Sequence, residues 1–139
     1  MVVVDDRLGL SWWNGRPTVM IEVIDGRPRL AWLIVGHNEP FDVWLFSYLT
    51  WDEADALTAM RPAGLDLDAW LGEREGEFEG WYSLYAGGGL LAQMTVRYPN
   101  RRGLAREAMR VMHEAVVALL DDKPELRPIA DDLAYRLAA

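Results

Sequence analysis

The sequence predicts a single α+β domain: a mainly antiparallel sheet of about six strands covered by a long C-terminal helix. Three observations lead there. Apolar residues recur at every second position through the first half of the chain, between turn dipeptides. The same alternation returns near residues 79–98, and residues 103–120 carry an apolar stripe at helical spacing. Runs of adjacent strands followed by helices give α+β rather than a parallel α/β fold, with an expected order of four strands, two helices, two strands and two helices.

Leu8, Leu10 and Trp12 alternate up to Asn14-Gly15, a hairpin signal because both turn positions favour positive φ. Val19, Ile21 and Val23 then alternate with Met20, Glu22 and Ile24 up to Asp25-Gly26, a second turn. Leu30 to Val35 has so little polarity that cover on both faces is expected, which makes it the central strand. Residues 36–40 break the pattern, and Phe41 to Leu49 form a fourth strand.

Thr50 and Glu53 stand at capping-box spacing and open a short helix over Trp51–Met60. A second helical turn or two follows between Leu65 and Leu71. Strands at Glu79–Ala86 and Leu90–Tyr98 are joined across three glycines, the second with Leu90, Ala92, Met94, Val96 and Tyr98 on one face. In the long helix, Leu104, Ala108, Met112, Ala115 and Leu119 make the stripe that packs on the sheet. Pro124 and Pro128 interrupt it, and a final helix starts near Pro128.

The 139 residues include no cysteine, which excludes disulfides, thiolate metal sites and cysteine nucleophiles. Fourteen basic against 22 acidic residues leave a formal charge of −8, which repels phosphate backbones and anionic lipid. No nucleic-acid or membrane partner is expected. The first six residues read neither as a signal peptide nor as a spanning helix, so a cytoplasmic location is expected.

Glu73, Glu75, Glu77 and Glu79 recur at period two and share one side if the segment is extended. They form either a solvated loop or a docking stripe for a basic partner. A calcium loop is excluded, because Trp70 falls where an oxygen ligand is needed and Gly72 comes one place late. No metal site or cofactor is expected.

Arg97, Arg101, Arg102 and Gly103 lie immediately before the long helix, where free N–H groups favour anions. This stretch of about 20 residues resembles the pyrophosphate-binding strand–turn–helix of the GNAT acetyltransferases, with Gly103-Leu104-Ala105 standing for its last glycines. The resemblance implies an acyl-CoA or nucleotide ligand. It departs from that family at Asn100, where a basic residue belongs, and in the absence of further strands after the helix. The bland reading is that these arginines pair with neighbouring acids.

Nothing forms a catalytic set. His37 and His113 stand apart, Ser11, Ser47 and Ser83 lie inside strands without a nucleophile elbow, and no Walker loop is present. Of seven tryptophans, Trp32 and Trp44 are expected in the core. Trp12 and Trp13 are adjacent on a strand and point to opposite faces, so one needs cover or a partner.

These features point to a non-enzymatic, acidic protein-binding module, similar in gross features to secretion chaperones and to immunity proteins that neutralise basic toxins. The alternative is a small-molecule, acyl-CoA or nucleotide-binding protein or transferase that uses the arginine turn. A homodimer is expected, its interface an aromatic sheet surface with Trp12 or Trp13 near its centre.

Overall fold

The computed structural model describes residues 7–13, 15–36, 40–60, 66–74, 78–97, 99 and 101–139. Four strands come first: β1 (Arg7–Trp13), β2 (Arg16–Ile24), β3 (Arg27–Val35) and β4 (Asp42–Tyr48). Then follow α1 (Trp51–Ala59), α2 (Leu67–Glu73), β5 (Gly80–Ala86), β6 (Gly89–Val96), α3 (Leu104–Leu119) and α4 (Arg127–Ala138). The class is α+β, and the six strands form one antiparallel sheet in the order β1-β2-β3-β4-β5-β6. The chain departs from the expected element order by two 3-10 turns, Arg101–Gly103 and Pro124–Leu126, each leading into a helix. Such turns are common at helix entrances, and Gly103 enters α3 without any side-chain cap.

Turn chemistry sets the meander. Asp25 and Gly26 both take positive φ, 53° and 76°, as a two-residue hairpin requires, and Gly87 and Gly88 do the same between β5 and β6. At α1 both arms of the capping box form: Glu53 N donates to Thr50 Oγ1 at 3.1 Å and Thr50 N donates to Glu53 Oε1 at 2.9 Å. Asp66 caps α2 by accepting from Ala69 N at 3.0 Å.

All four helices pack on one side of the sheet. Leu57 of α1, Trp70 of α2, Met112 and Val116 of α3 and Leu133 of α4 join Ile21, Leu30, Leu45, Tyr82 and Leu84 in one buried core. A second cluster, Ala31, Leu33, Trp44 and Phe46, lies on the opposite side and is built from strand residues alone. β3 is therefore buried on both faces as expected, but only one face is covered by helices.

The expected apolar face of the last strand is broken. Ala92 opposes Leu84, yet Leu90 opposes Tyr85, so Leu91 is an extra residue that reverses the alternation. Leu91 packs on the main core while Leu90 and Met94 are exposed. Tyr98 lies outside the described residues.

Because Met112 is fully buried on α3 and Val117 on the same helix is exposed, Met112→Ala is expected to destabilise the fold by about 2–5 kcal/mol. Val117→Ala is expected to change stability by no more than about 0.5 kcal/mol. Urea unfolding of both variants checks the packing face of α3.

Candidate functional site

The side of the sheet without helices holds the candidate site. Strand alternation puts Met20 and Glu22 of β2, Arg29 and Ala31 of β3, Phe46 and Tyr48 of β4 and Trp81 of β5 on this side. They stand in two cross-strand rows: Met20 opposite Ala31, Phe46 and Trp81 in turn, and Glu22 opposite Arg29 and then Tyr48. The rings pack as a run. Trp44 and Phe46 stack at 6.3 Å between centroids, Phe46 and Trp81 at 5.5 Å, and Tyr48 tilts against Trp81 at 5.2 Å.

Three arginines lie over those rings. The Arg29 guanidinium sits 4.2 Å from the Phe46 centroid, that of Arg27 lies 3.9 Å from Tyr48, and that of Arg16 lies 6.0 Å from Trp44. Two of them are also paired with acids. Arg29 Nε donates to Glu22 Oε2 at 2.7 Å with a second nitrogen at 2.6 Å, both side chains being largely buried. Arg16 pairs with Asp42 and also donates to the Gly36 carbonyl at 3.4 Å. The Arg16 pair is more exposed and adds little stability. The Glu22–Arg29 pair is the strong one, since a lone buried Glu22 would be costly.

Two shallow cavities run along this face. One, of about 390 Å³, is lined by Met20, Glu22, Asp42 and Trp44 among others, and its neighbour of about 500 Å³ by Tyr48, Trp81, Leu90 and Gln93 among others. Arg29 and Tyr85 line both, so the two form one groove with these side chains at the divide.

The residues singled out from the sequence are scattered. Trp12 is 50% exposed, and its indole fills the space where a Cβ on Gly9 would stand. Gly9 opposes Met20, so Trp12 lies on the uncovered side, at the β1 end. The side chain of Trp13 lies outside the described residues. Trp44 is buried as expected, but among strand residues on the uncovered side and not in the main core. Glu73 and Glu79 are exposed at the end of α2 and just ahead of β5; Glu75 and Glu77 lie outside the described residues.

The arginine turn lies only partly within the described residues. Arg97 and Arg102 are exposed, the Arg101 side chain lies outside the described residues, and Gly103 is the N-cap of α3. A cleft of about 390 Å³ beside Gly103 is lined instead by Arg106, Glu107, Arg110 and Leu137. Arg106 donates to the Leu137 carbonyl at 2.6 Å, Arg110 to Glu114 at 3.2 Å, and Glu107 accepts from the Tyr82 hydroxyl at 2.7 Å. Burial, with the Glu107 hydrogen bond and charge beside it, holds the Tyr82 hydroxyl well above its ordinary pKa.

Among the described residues there is no cluster of three or more His, Asp or Glu that could hold a metal ion. His37 lies outside them, and His113 is partly buried on α3. Ser83 is buried with its hydroxyl unbonded, between Trp44 and Gln93 in the sheet. Among the described residues, no helix is long and apolar enough to cross a membrane. No family model, curated protein or solved structure matches the chain.

Sequence reasoning missed the arginine and aromatic layer. Its signal was present in Arg27 and Arg29, two apart on one strand, and in Trp44, Phe46 and Tyr48 at the same spacing on the next.

Arg29→Met alone strands the Glu22 carboxylate and is expected to destabilise the fold by about 3 kcal/mol. The double variant Glu22→Leu/Arg29→Met should be much less damaging than the sum of the singles, with a coupling of roughly 1–3 kcal/mol in a denaturation cycle.

Tyr82 gives a second expectation. The unfolded chain loses this proton near pH 10 while the folded chain retains it, so stability falls as pH rises above about 10. Tyr82→Phe should show a shallower alkaline decline in melting temperature than the parent protein.

Proposed function

We propose that this chain is a non-enzymatic protein-binding module whose partner docks on the uncovered sheet face. The observation that carries this reading is the one-sided placement of the helices. Among the described residues every helix packs on one side, while the other presents Trp44, Phe46, Tyr48, Trp81 and Tyr85 with three arginines among them. Tyr48, Trp81 and Tyr85 stay half-buried along the groove with no helix above them, and aromatic residues and arginine are the types that anchor interfaces.

Glu22 and Asp42 balance two of the three guanidiniums, so the face itself is close to neutral and its contact is aromatic. The surrounding field comes from the net charge of −8, with Glu73 and Glu79 exposed, and it speeds the approach of a basic partner. The role is similar in kind to that of an acidic secretion chaperone or an immunity protein. The arginine turn suits a nucleotide or acyl-CoA less well, because Arg106 and Arg110 are already engaged and Glu107 would repel an anion.

Tyr85→Asp puts a charge at the centre of the groove. It is expected to lower partner capture about tenfold or more while the circular dichroism spectrum is retained, since one well-placed anchor contributes on the order of 2 kcal/mol to binding. Changing Glu73, Glu75, Glu77 and Glu79 to Gln should slow association at low salt and leave dissociation unchanged. Unchanged binding by Tyr85→Asp would contradict the proposal. So would stabilisation by acyl-CoA or nucleotide, which reaches about 2.7 kcal/mol at 100 times the dissociation constant.

A further inference from the structure

We propose that the outer edge of β6 is a docking edge for a second copy of this chain. The two β6 strands pair antiparallel about a two-fold axis, so that the sheets continue into each other and both copies complete the groove beside β6.

The sheet is open, with β1 and β6 at its ends and, among the described residues, no strand outside either. An open edge presents unpaired N–H and C=O groups, which another strand satisfies best, and folded proteins guard such edges with charge, proline or bulges. The two edges differ in this respect. The β1 ladder is broken twice in succession, between Gly9 and Ser11 and between Ser11 and Trp12, and the strand begins with Arg7. In β6 the sequence GLLAQMTV has neither charge nor proline. Its one irregularity lies near the hairpin, which leaves Ala92 to Val96 in unbroken register with β5.

Gln93, Met94 and Thr95 are consecutive and all exposed, so this stretch is open on its faces as well as at its rim. Leu90 and Met94, large and apolar, are 48% and 43% exposed. Both line the groove of about 500 Å³ whose other wall is Tyr48, Trp81 and Tyr85. That groove stops where the sheet stops, and a second β6 would continue it.

The occupant follows from charge. Two copies at −8 repel each other, and a charge-free strand is where they can meet without like charges opposed across the ladder. The antiparallel direction also sets Arg97 and the second copy's Arg97 at far ends of the junction. At about 3.4 Å per residue they lie roughly 25 Å apart, well beyond a screening length of about 8 Å. Pairing of this one edge closes at two copies, and the bulged β1 edge stops growth into a filament. Trp12 lies at the other end of the sheet, so β6 replaces it as the seat of the expected dimer.

Sedimentation equilibrium of the full chain at micromolar concentration is expected to give twice 15.8 kDa. Gln93→Lys/Met94→Lys opposes like charges across the junction and should raise the dissociation constant roughly tenfold or more while the circular dichroism spectrum is retained. Because the chain has no cysteine, single Cys substitutions from Leu90 to Thr95 can be oxidised one at a time. Disulfide-linked dimer should peak at one position and fall off on both sides, as only a two-fold antiparallel pair requires. This scan decides the matter even if the lysine variant fails to fold. A mass of one chain that does not rise on concentration, a dimer the lysines do not weaken, or a scan with no maximum in β6 would overturn the proposal.

Discussion

The fold depends on the fact that a six-stranded sheet has two faces and that the helices among the described residues all lie on one of them. The helical side is an ordinary core, closed by the apolar stripes of α1 to α4. The other side must be closed by side chains of the strands themselves, and the cross-strand Glu22–Arg29 pair is the centre of that closure. It places a guanidinium over Phe46, with a carboxylate directly opposite on β2 to neutralise it. Arginine suits this position because its planar group stacks on a ring while its edge remains free to bond a carboxylate. Arg27 on Tyr48 and Arg16 on Trp44 repeat the arrangement with weaker anchoring. Phe46 and Trp44 are thereby nearly hidden from water with no helix above them.

Such a layer covers rings without filling the space above them. The result is a long shallow groove whose floor is aromatic and whose charges are largely paired within the protein. A surface of this kind can be shielded in the free protein and still serve as a contact, because long arginine side chains can shift aside more easily than a packed helix. The acidic excess elsewhere leaves the contact surface itself close to neutral. Attraction at a distance and adhesion at contact are therefore separate, the first set by net charge and the second by the rings.

Most of the fold was legible in the sequence because its signals are local. Alternation marked the strands, Asp25-Gly26 marked a turn whose φ values the structure bears out, and Thr50 with Glu53 marked the start of α1. Register was less legible. The extra residue at Leu91 turns Leu90 away from the core and Leu91 toward it, while Ala92 and Val96 face the core as expected, and nothing in the run from Leu90 to Val96 announces it. The site was hardest to see, for a physical reason. Alternation tells which residues share a face but not which face the helices will cover, so Trp44 read simply as a core residue. The Glu73 to Glu79 stripe and the Arg97 to Gly103 turn stood out through clustering along the chain, whereas the arginine and aromatic layer is clustered only across strands.

The central claim is that the helix-free face is where a partner sits, and site-specific photo-crosslinking in the native host tests it most directly. A benzophenone side chain at Tyr85, at the divide of the groove, is compared with the same group at Tyr135, which is 77% exposed on α4. The account predicts a covalent protein adduct from position 85 and none from position 135. An adduct from position 135 with none from position 85 would contradict it.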